Sequence, residues 1–168
     1  LAWQSNLSFA DIEGLSLAIG VEIAESLKNN TDEVIEIKWP NDLLVNQKKL
    51  GGILIETSSG KKDSLDIIIG IGINIFMKNE DAIKIDQDWT SLENYKNRSL
   101  DRNLIAANLL NKLVQLTRKF KTVGFVGYKE AFENRNALIN KDCEILANGK
   151  VDYHGSVVGV NDKGELLI

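Results

Sequence analysis

The chain has 168 residues, 43% apolar and 26% charged, with a formal net charge of −4. That balance describes one globular domain or one and a half with a real core, and excludes a disordered chain. Interspersed charges argue against unaided nucleic-acid binding, no apolar run approaches membrane-spanning length, and the single cysteine, Cys143, rules out an internal disulfide and suits a reducing, cytoplasmic compartment.

Leu1 to Trp3 read as the end of a strand. From Asp11 to Asn29, Leu15, Ala18, Ile19, Ile23 and Leu27 recur at helical spacing, with Glu22, Glu25 and Lys28 opposite and Ser8 or Asp11 able to cap the start. Ile35, Ile37 and Trp39 alternate with Glu36 and Lys38 as a half-buried strand that Trp39 closes, because Pro40 holds its predecessor extended. Leu43 to Val45 and Leu50 to Thr57 flank Asn46-Gln47-Lys48 as a hairpin, and a polar loop spans 58–64. Leu65 to Ile75 form an apolar strand interrupted by Gly70 and Gly72, expected to be covered on both faces.

Residues 76–100 are polar and irregular, with Trp89 and Leu92 as anchors. Asp101 opens a long helix striped by Leu109, Leu113, Leu116 and Phe120 that ends near Gly124, and a shorter helix covers Tyr128 to Asn136. Beyond Leu138, Cys143 to Ala147 and Val151 to Gly155 flank Asn148-Gly149, a strong two-residue hairpin signal, and Asn161-Asp162-Lys163-Gly164 precede a last strand. Short strands on tight turns predict a small β-barrel from about residue 137. Cys143, between Asp142 and Glu144, and the sole histidine, His154, read as packing residues.

Three segments carry chemistry: the Asn41-Asp42 corner, the Lys48-Lys49 hairpin and Gly70-Ile71-Gly72-Ile73-Asn74. A carboxylate such as Asp42 suits Mg²⁺ and phosphates, Asn41 and Asn74 suit ribose or base, and Lys49 suits charge compensation at an α-phosphate. Gly51, Gly52, Gly70 and Gly72 leave bare backbone on which a flat ligand can lie. The same residues also satisfy a plain reading: proline, asparagine and aspartate favour turns, and paired lysines at a hairpin tip are usually solvated. Lys38 is expected to pair with Glu36 or Glu56. Spacing alone stops at a soluble α/β domain and leaves a phosphate site and a plain turn both open.

Taken together, Lys38-Trp39-Pro40-Asn41-Asp42, Lys49-Leu50-Gly51-Gly52-Ile53-Leu54-Ile55-Glu56 and Gly70-Ile71-Gly72-Ile73-Asn74, in that order, resemble the biotin protein ligases. These enzymes activate biotin with ATP and attach it to a lysine of a carrier domain. Gly14-Leu15-Ser16-Leu17-Ala18-Ile19-Gly20 and Leu100-Asp101-Arg102-Asn103 extend the likeness over nearly the whole chain. The resemblance implies an α+β fold, a mixed β-sheet with flanking helices as in class II aminoacyl-tRNA synthetases, followed by a small SH3-like β-barrel. It divides the chain into 1–136, the C-terminal part of a catalytic domain, and 137–168, a truncated SH3-like domain.

It assigns Lys49 to catalysis, Asn41, Asp42 and Asn74 to the ATP side, and Gly52, Leu54, Gly70 and Gly72 to the biotin side. ATP, biotin and Mg²⁺, the last on Asp42, are the implied small molecules, and a biotin carboxyl carrier protein the implied partner, with homodimerisation left open. The family's Gly-Arg-rich loop belongs upstream of Leu1, so this segment alone is expected to be inactive. Two rivals stand beside this reading: a lipoate or octanoate ligase, and a non-catalytic repressor half that binds biotinyl-adenylate.

Overall fold

The computed structural model describes residues 1–60, 64–77, 87–97, 99–147 and 150–168, with backbone only at 146, 147 and 150. Five strands, β1 (Ala2–Ser5), β2 (Glu36–Lys38), β3 (Asp42–Val45), β4 (Lys48–Ser59) and β5 (Leu65–Ile73), form one sheet in the order β1-β5-β4-β3-β2. Every strand pairing in it is antiparallel, not mixed. The cause is connection length: β2, β3, β4 and β5 follow one another through short links that only antiparallel neighbours permit. Parallel pairing survives as single bridges, Ile37 to Asn136 and Lys49 to Trp89. The turn between β3 and β4 places Asn46 and Gln47 at φ 50° and 64°, both left-handed, which matches the twist of a two-residue hairpin.

One sheet face is the core face. Ile37, Leu43, Val45, Leu50, Ile53, Ile67 and Ile69 point inward and are buried. They meet α1 (Leu15–Leu27), whose apolar stripe is so broad that Leu15, Leu17, Ala18, Ile19, Ile23 and Leu27 are nearly all sealed. Helices α2 (Arg102–Val123) and α3 (Val126–Glu133) close the layer behind it, with Leu113, Leu116, Phe120, Tyr128 and Phe132 buried. Burial pushes the Tyr128 hydroxyl up to about 12, with the charge of Glu22 adding to the effect.

Asp101 caps α2, its carboxylate accepting from the backbone N–H groups of Asn103 at 2.8 Å and Leu104 at 3.2 Å. Gly124, at φ 56°, ends the helix. Asp101→Ala is expected to lower the unfolding free energy by about 1 kcal/mol, read as a denaturation midpoint shift at constant m-value.

Several expectations are corrected. Ser8 and Asp11 bond each other around a 3-10 turn (Ala10–Ile12), whereas α1 starts at Leu15 behind Gly14 with no side-chain cap. β2 stops at Lys38, because Trp39 and Pro40 lie in the turn to β3; β5 stops at Ile73. α3 begins at Val126 and ends at Glu133. β5 is not covered on both faces: Ile68, Gly70 and Gly72 are exposed on the outer one.

The segment after residue 137 forms two ladders, β6 (Asp142–Ala147) with β7 (Lys150–Ser156) and β8 (Gly159–Val160) with β9 (Leu166–Leu167). No barrel closes among the described residues. The Asn148-Gly149 turn lies outside them. Cys143 is half-buried and His154 exposed, so His154 is not a packing residue. Lys38 is exposed and takes part in none of the ion pairs among the described residues. No helix there is long and apolar enough to cross a membrane.

Candidate active site

The outer face of the sheet is built on Asp42, Gly52 and Gly72, which lie side by side across β3, β4 and β5. Leu54 opposes Gly70, and Glu56 opposes Ile68, in the next rows of the same face. With no side chain at 52, 70 or 72, this floor is bare backbone flanked by Leu54, which is 61% exposed. A Cβ at Gly72 would meet nothing within 4 Å.

Simple alternation would not put Lys49 on this face. Gly52 points outward and Gly51 inward, so Leu50 would follow outward and Lys49 inward. The register instead shifts between Leu43 and Leu44: Leu43 opposes Gly51, and Leu44 opposes Lys49. Leu50 becomes the extra residue of a bulge and joins the core, fully buried. The bulge thereby turns Lys49 outward beside Gly52.

Its ammonium Nζ sits 2.7 Å from Asp42 Oδ1, with the two side chains 28% and 19% exposed. Both backbone groups of Lys49 are held: its N–H donates to Asp88 O at 2.9 Å, and its C=O accepts from Thr90 N at 2.8 Å. A cation is thus fixed at one end of a bare, partly apolar floor.

Asn41 locks the corner. Its Nδ2 donates to Ile53 O at 2.9 Å, and its own C=O accepts from Ile53 N at 2.9 Å. Asn74 ties the end of β5 to the crossing segment: Nδ2 donates to Thr90 O at 3.1 Å and Lys49 O at 3.4 Å, and its C=O accepts from Leu92 N. The structure therefore brings Asn41, Asp42, Lys49, Gly52 and Asn74 to one end of the sheet, with Gly70, Gly72 and Leu54 along the floor. Both asparagine amides bond main chain, so each holds the site together whatever else it does. Among the described residues no group of three acidic, histidine or cysteine side chains is arranged to hold a metal.

Sequence reasoning missed the 88–90 segment. Only Trp89 and Leu92 signalled it, as apolar anchors in a polar stretch, and backbone bonds to Lys49 leave no mark in residue type. Arg102, in sequence only part of a helix start, lines a cleft of about 340 Å³ with Asn74, Phe76 and Met77.

The profile of the biotin/lipoate A/B protein ligase family matches residues 1–74. The bifunctional ligase/repressor BirA of Escherichia coli (strain K12) is 32% identical over 166 residues, which cover 99% of this chain and 51% of that protein. The chain thus spans about half the length of the curated relatives it matches first. The apo structure of the biotin protein ligase from Aquifex aeolicus superposes with a TM-score of 0.81 at 30% identity, covering 99% of this chain and 72% of that one. The same enzyme in complex with biotin and ATP gives a TM-score of 0.79 at 29% identity, covering 99% and 69%.

Proposed function

The chain belongs to the biotin protein ligase family, and from that premise we propose that it forms part of an ATP-dependent enzyme that makes biotinyl-5′-AMP and passes the biotinyl group to a lysine of a carrier protein. The observation that carries this reading is the bulge that turns Lys49 onto Asp42 at the end of the glycine floor.

In the first step a biotin carboxylate oxygen bonds to the α-phosphorus of ATP, and the bond to pyrophosphate breaks. Two anions approach, so a fixed ammonium lowers the barrier by offsetting charge that grows at the phosphoryl oxygens. Lys49 fills that role, and Asp42 holds it in place until phosphate oxygens compete for it. The glycine floor at 52, 70 and 72, walled by Leu54, suits the flat bicyclic ring and its apolar chain. Asn41 and Asn74, with Asp42, frame the nucleotide end. In the second step the carrier amine attacks the acyl carbon, AMP leaves, and the amine proton passes to solvent. No covalent enzyme intermediate is required.

Mg²⁺ fits this site only as a companion of phosphates. Asp42 offers one carboxylate, with Oδ1 already against Lys49, and a magnesium ion bound by one carboxylate plus substrate oxygens is ordinary for nucleotide enzymes. The ion would shield phosphate charge; orientation of the carboxylate and phosphate rests on the chain's own groups.

The two ladders after residue 137 are read as strands of an SH3-like module distinct from 1–136, with homodimerisation left open and a cytoplasmic location in keeping with the reaction. Calorimetric titration of the full-length protein should show biotin binding that excess lipoate fails to displace. Displacement by lipoate at equal concentration would favour the lipoate branch.

A further inference from the structure

Biotinyl-adenylate is a mixed anhydride whose acyl carbon is destined for a primary amine of the carrier, and the site already holds a primary amine of its own. An amine kept beside an acyl group reacts as if very concentrated, and effective molarities of well-oriented groups reach the order of 10⁵ M. A carrier lysine arriving from solution does not compete with that. A site that sets Lys49 against the adenylate therefore needs a device that stops its nitrogen from attacking.

Lys49 cannot simply retreat. Its backbone N–H and C=O are bonded to the 88–90 segment at 2.9 and 2.8 Å, and the bulge residue beside it, Leu50, is fully buried. The side chain instead closes on Asp42, with Nζ 2.7 Å from Oδ1. The pair lies over the edge of the glycine floor: a Cβ at Gly52 would stand 3.3 Å from Asp42 Oδ1 and 3.6 Å from Lys49 Cε. Asp42 has a second lysine directly across the strand pair, Lys38, yet Lys38 takes part in none of the ion pairs among the described residues. The carboxylate is committed to Lys49. An ammonium has no lone pair. One bonded to a carboxylate has to break that bond and lose a proton before its nitrogen can attack, while its other N–H donors still face phosphoryl oxygens.

We propose that Asp42 is a positioning residue that protects the site from its own product: it keeps Lys49 a hydrogen-bond donor and so prevents the adenylate from acylating it. This rests on the ligase reading above and deepens it. Without the carboxylate, Lys49 Nζ gives a proton to solvent and attacks the acyl carbon. The C–N amide bond forms as the bond from that carbon to the phosphate oxygen breaks, and AMP leaves with the electron pair. A second amine proton passes to solvent. Lys49 ends as a biotinyl amide with no charge to offer.

The test supplies synthetic biotinyl-5′-AMP to the full-length protein in the absence of carrier, which bypasses any loss of adenylation. Peptide mass mapping then reads biotinyl groups on Lys49 and on its exposed neighbour Lys48, whose labelling reports acylation by released adenylate. In the wild-type protein Lys49 should be labelled no more than Lys48. Asp42→Asn, which keeps the shape and removes the charge, should raise the ratio of Lys49 to Lys48 labelling roughly fivefold, the factor set by loss of one partly exposed ion pair. Asp42→Ser should do the same, and Asp42→Glu, which restores a carboxylate, should stay near wild type. A merely structural role for Asp42 would move the melting temperature and leave the ratio alone. An unchanged ratio in the Asn and Ser variants, or an equal rise in the Glu variant, would overturn the proposal. Failure of the wild-type protein to bind the adenylate would instead overturn the ligase reading.

Discussion

Replacing Lys49 with glutamine in the full-length protein is expected to slow biotinyl-adenylate formation by about 10²–10³-fold, the usual effect of deleting one preorganised charge-stabilising group. Stability should hardly move. The Lys49–Asp42 pair is partly exposed at 28% and 19%, and a pair so placed contributes no more than about 1 kcal/mol. Its backbone bonds to Asp88 and Thr90 survive the substitution, so the 88–90 segment stays docked. Single-turnover measurement should place the loss in the adenylation step, because Lys49 acts on charge at phosphorus. A rate within a factor of three of wild type would remove Lys49 from the chemistry.

Gly51→Ala and Gly72→Ala are expected to fail in opposite ways, although the two glycines are near neighbours on adjacent strands. A Cβ at Gly51 would fall 2.2 Å from the carbonyl oxygen of Gly72 and 3.2 Å from Ile73 Cα, both backbone atoms that cannot swing aside. β4 and β5 would have to separate there, which costs about 3 kcal/mol or more and lowers the melting temperature by several degrees. At Gly72 the added methyl points into open space, so the fold is kept. That methyl stands on the floor beside Gly52, and it should weaken biotin binding at unchanged melting temperature. Thermal denaturation and calorimetry on the two proteins check both halves. Equal destabilisation would mean that the two faces of this sheet had been assigned wrongly.

Much of this molecule is legible in residue order, and the failures have physical causes. The α1 stripe, the Asp101 cap and the Gly124 stop are local signals, spaced by helix geometry, and the structure keeps them. Asn41, Asp42 and Asn74 were expected near Lys49, and they meet at one end of the sheet. What alternation could not show is how Lys49 arrives there. Strict period two aims it at the core, and only the bulge at Leu50 reverses it.

The run Leu65 to Ile75 misled in a similar way. Its isoleucines suggested burial on both faces, but Ile67 and Ile69 fill the core while Gly70 and Gly72 leave the other face open. Ser8 and Asp11 carry good capping chemistry and spend it on a 3-10 turn ahead of the helix. The bond between Trp39 and Gly164 joins residues so far apart in sequence that no spacing rule anticipates it.

The most direct test is a crystal structure of the full-length protein with a non-hydrolysable biotinyl-adenylate analogue. Lys49 Nζ should lie about 3 Å from an oxygen of the phosphoryl or acyl group, with the ring system over Gly70 and Gly72 and the adenosine toward Asn41 and Asn74. An analogue seated on any other face, with the ammonium still closed on Asp42, would contradict the account.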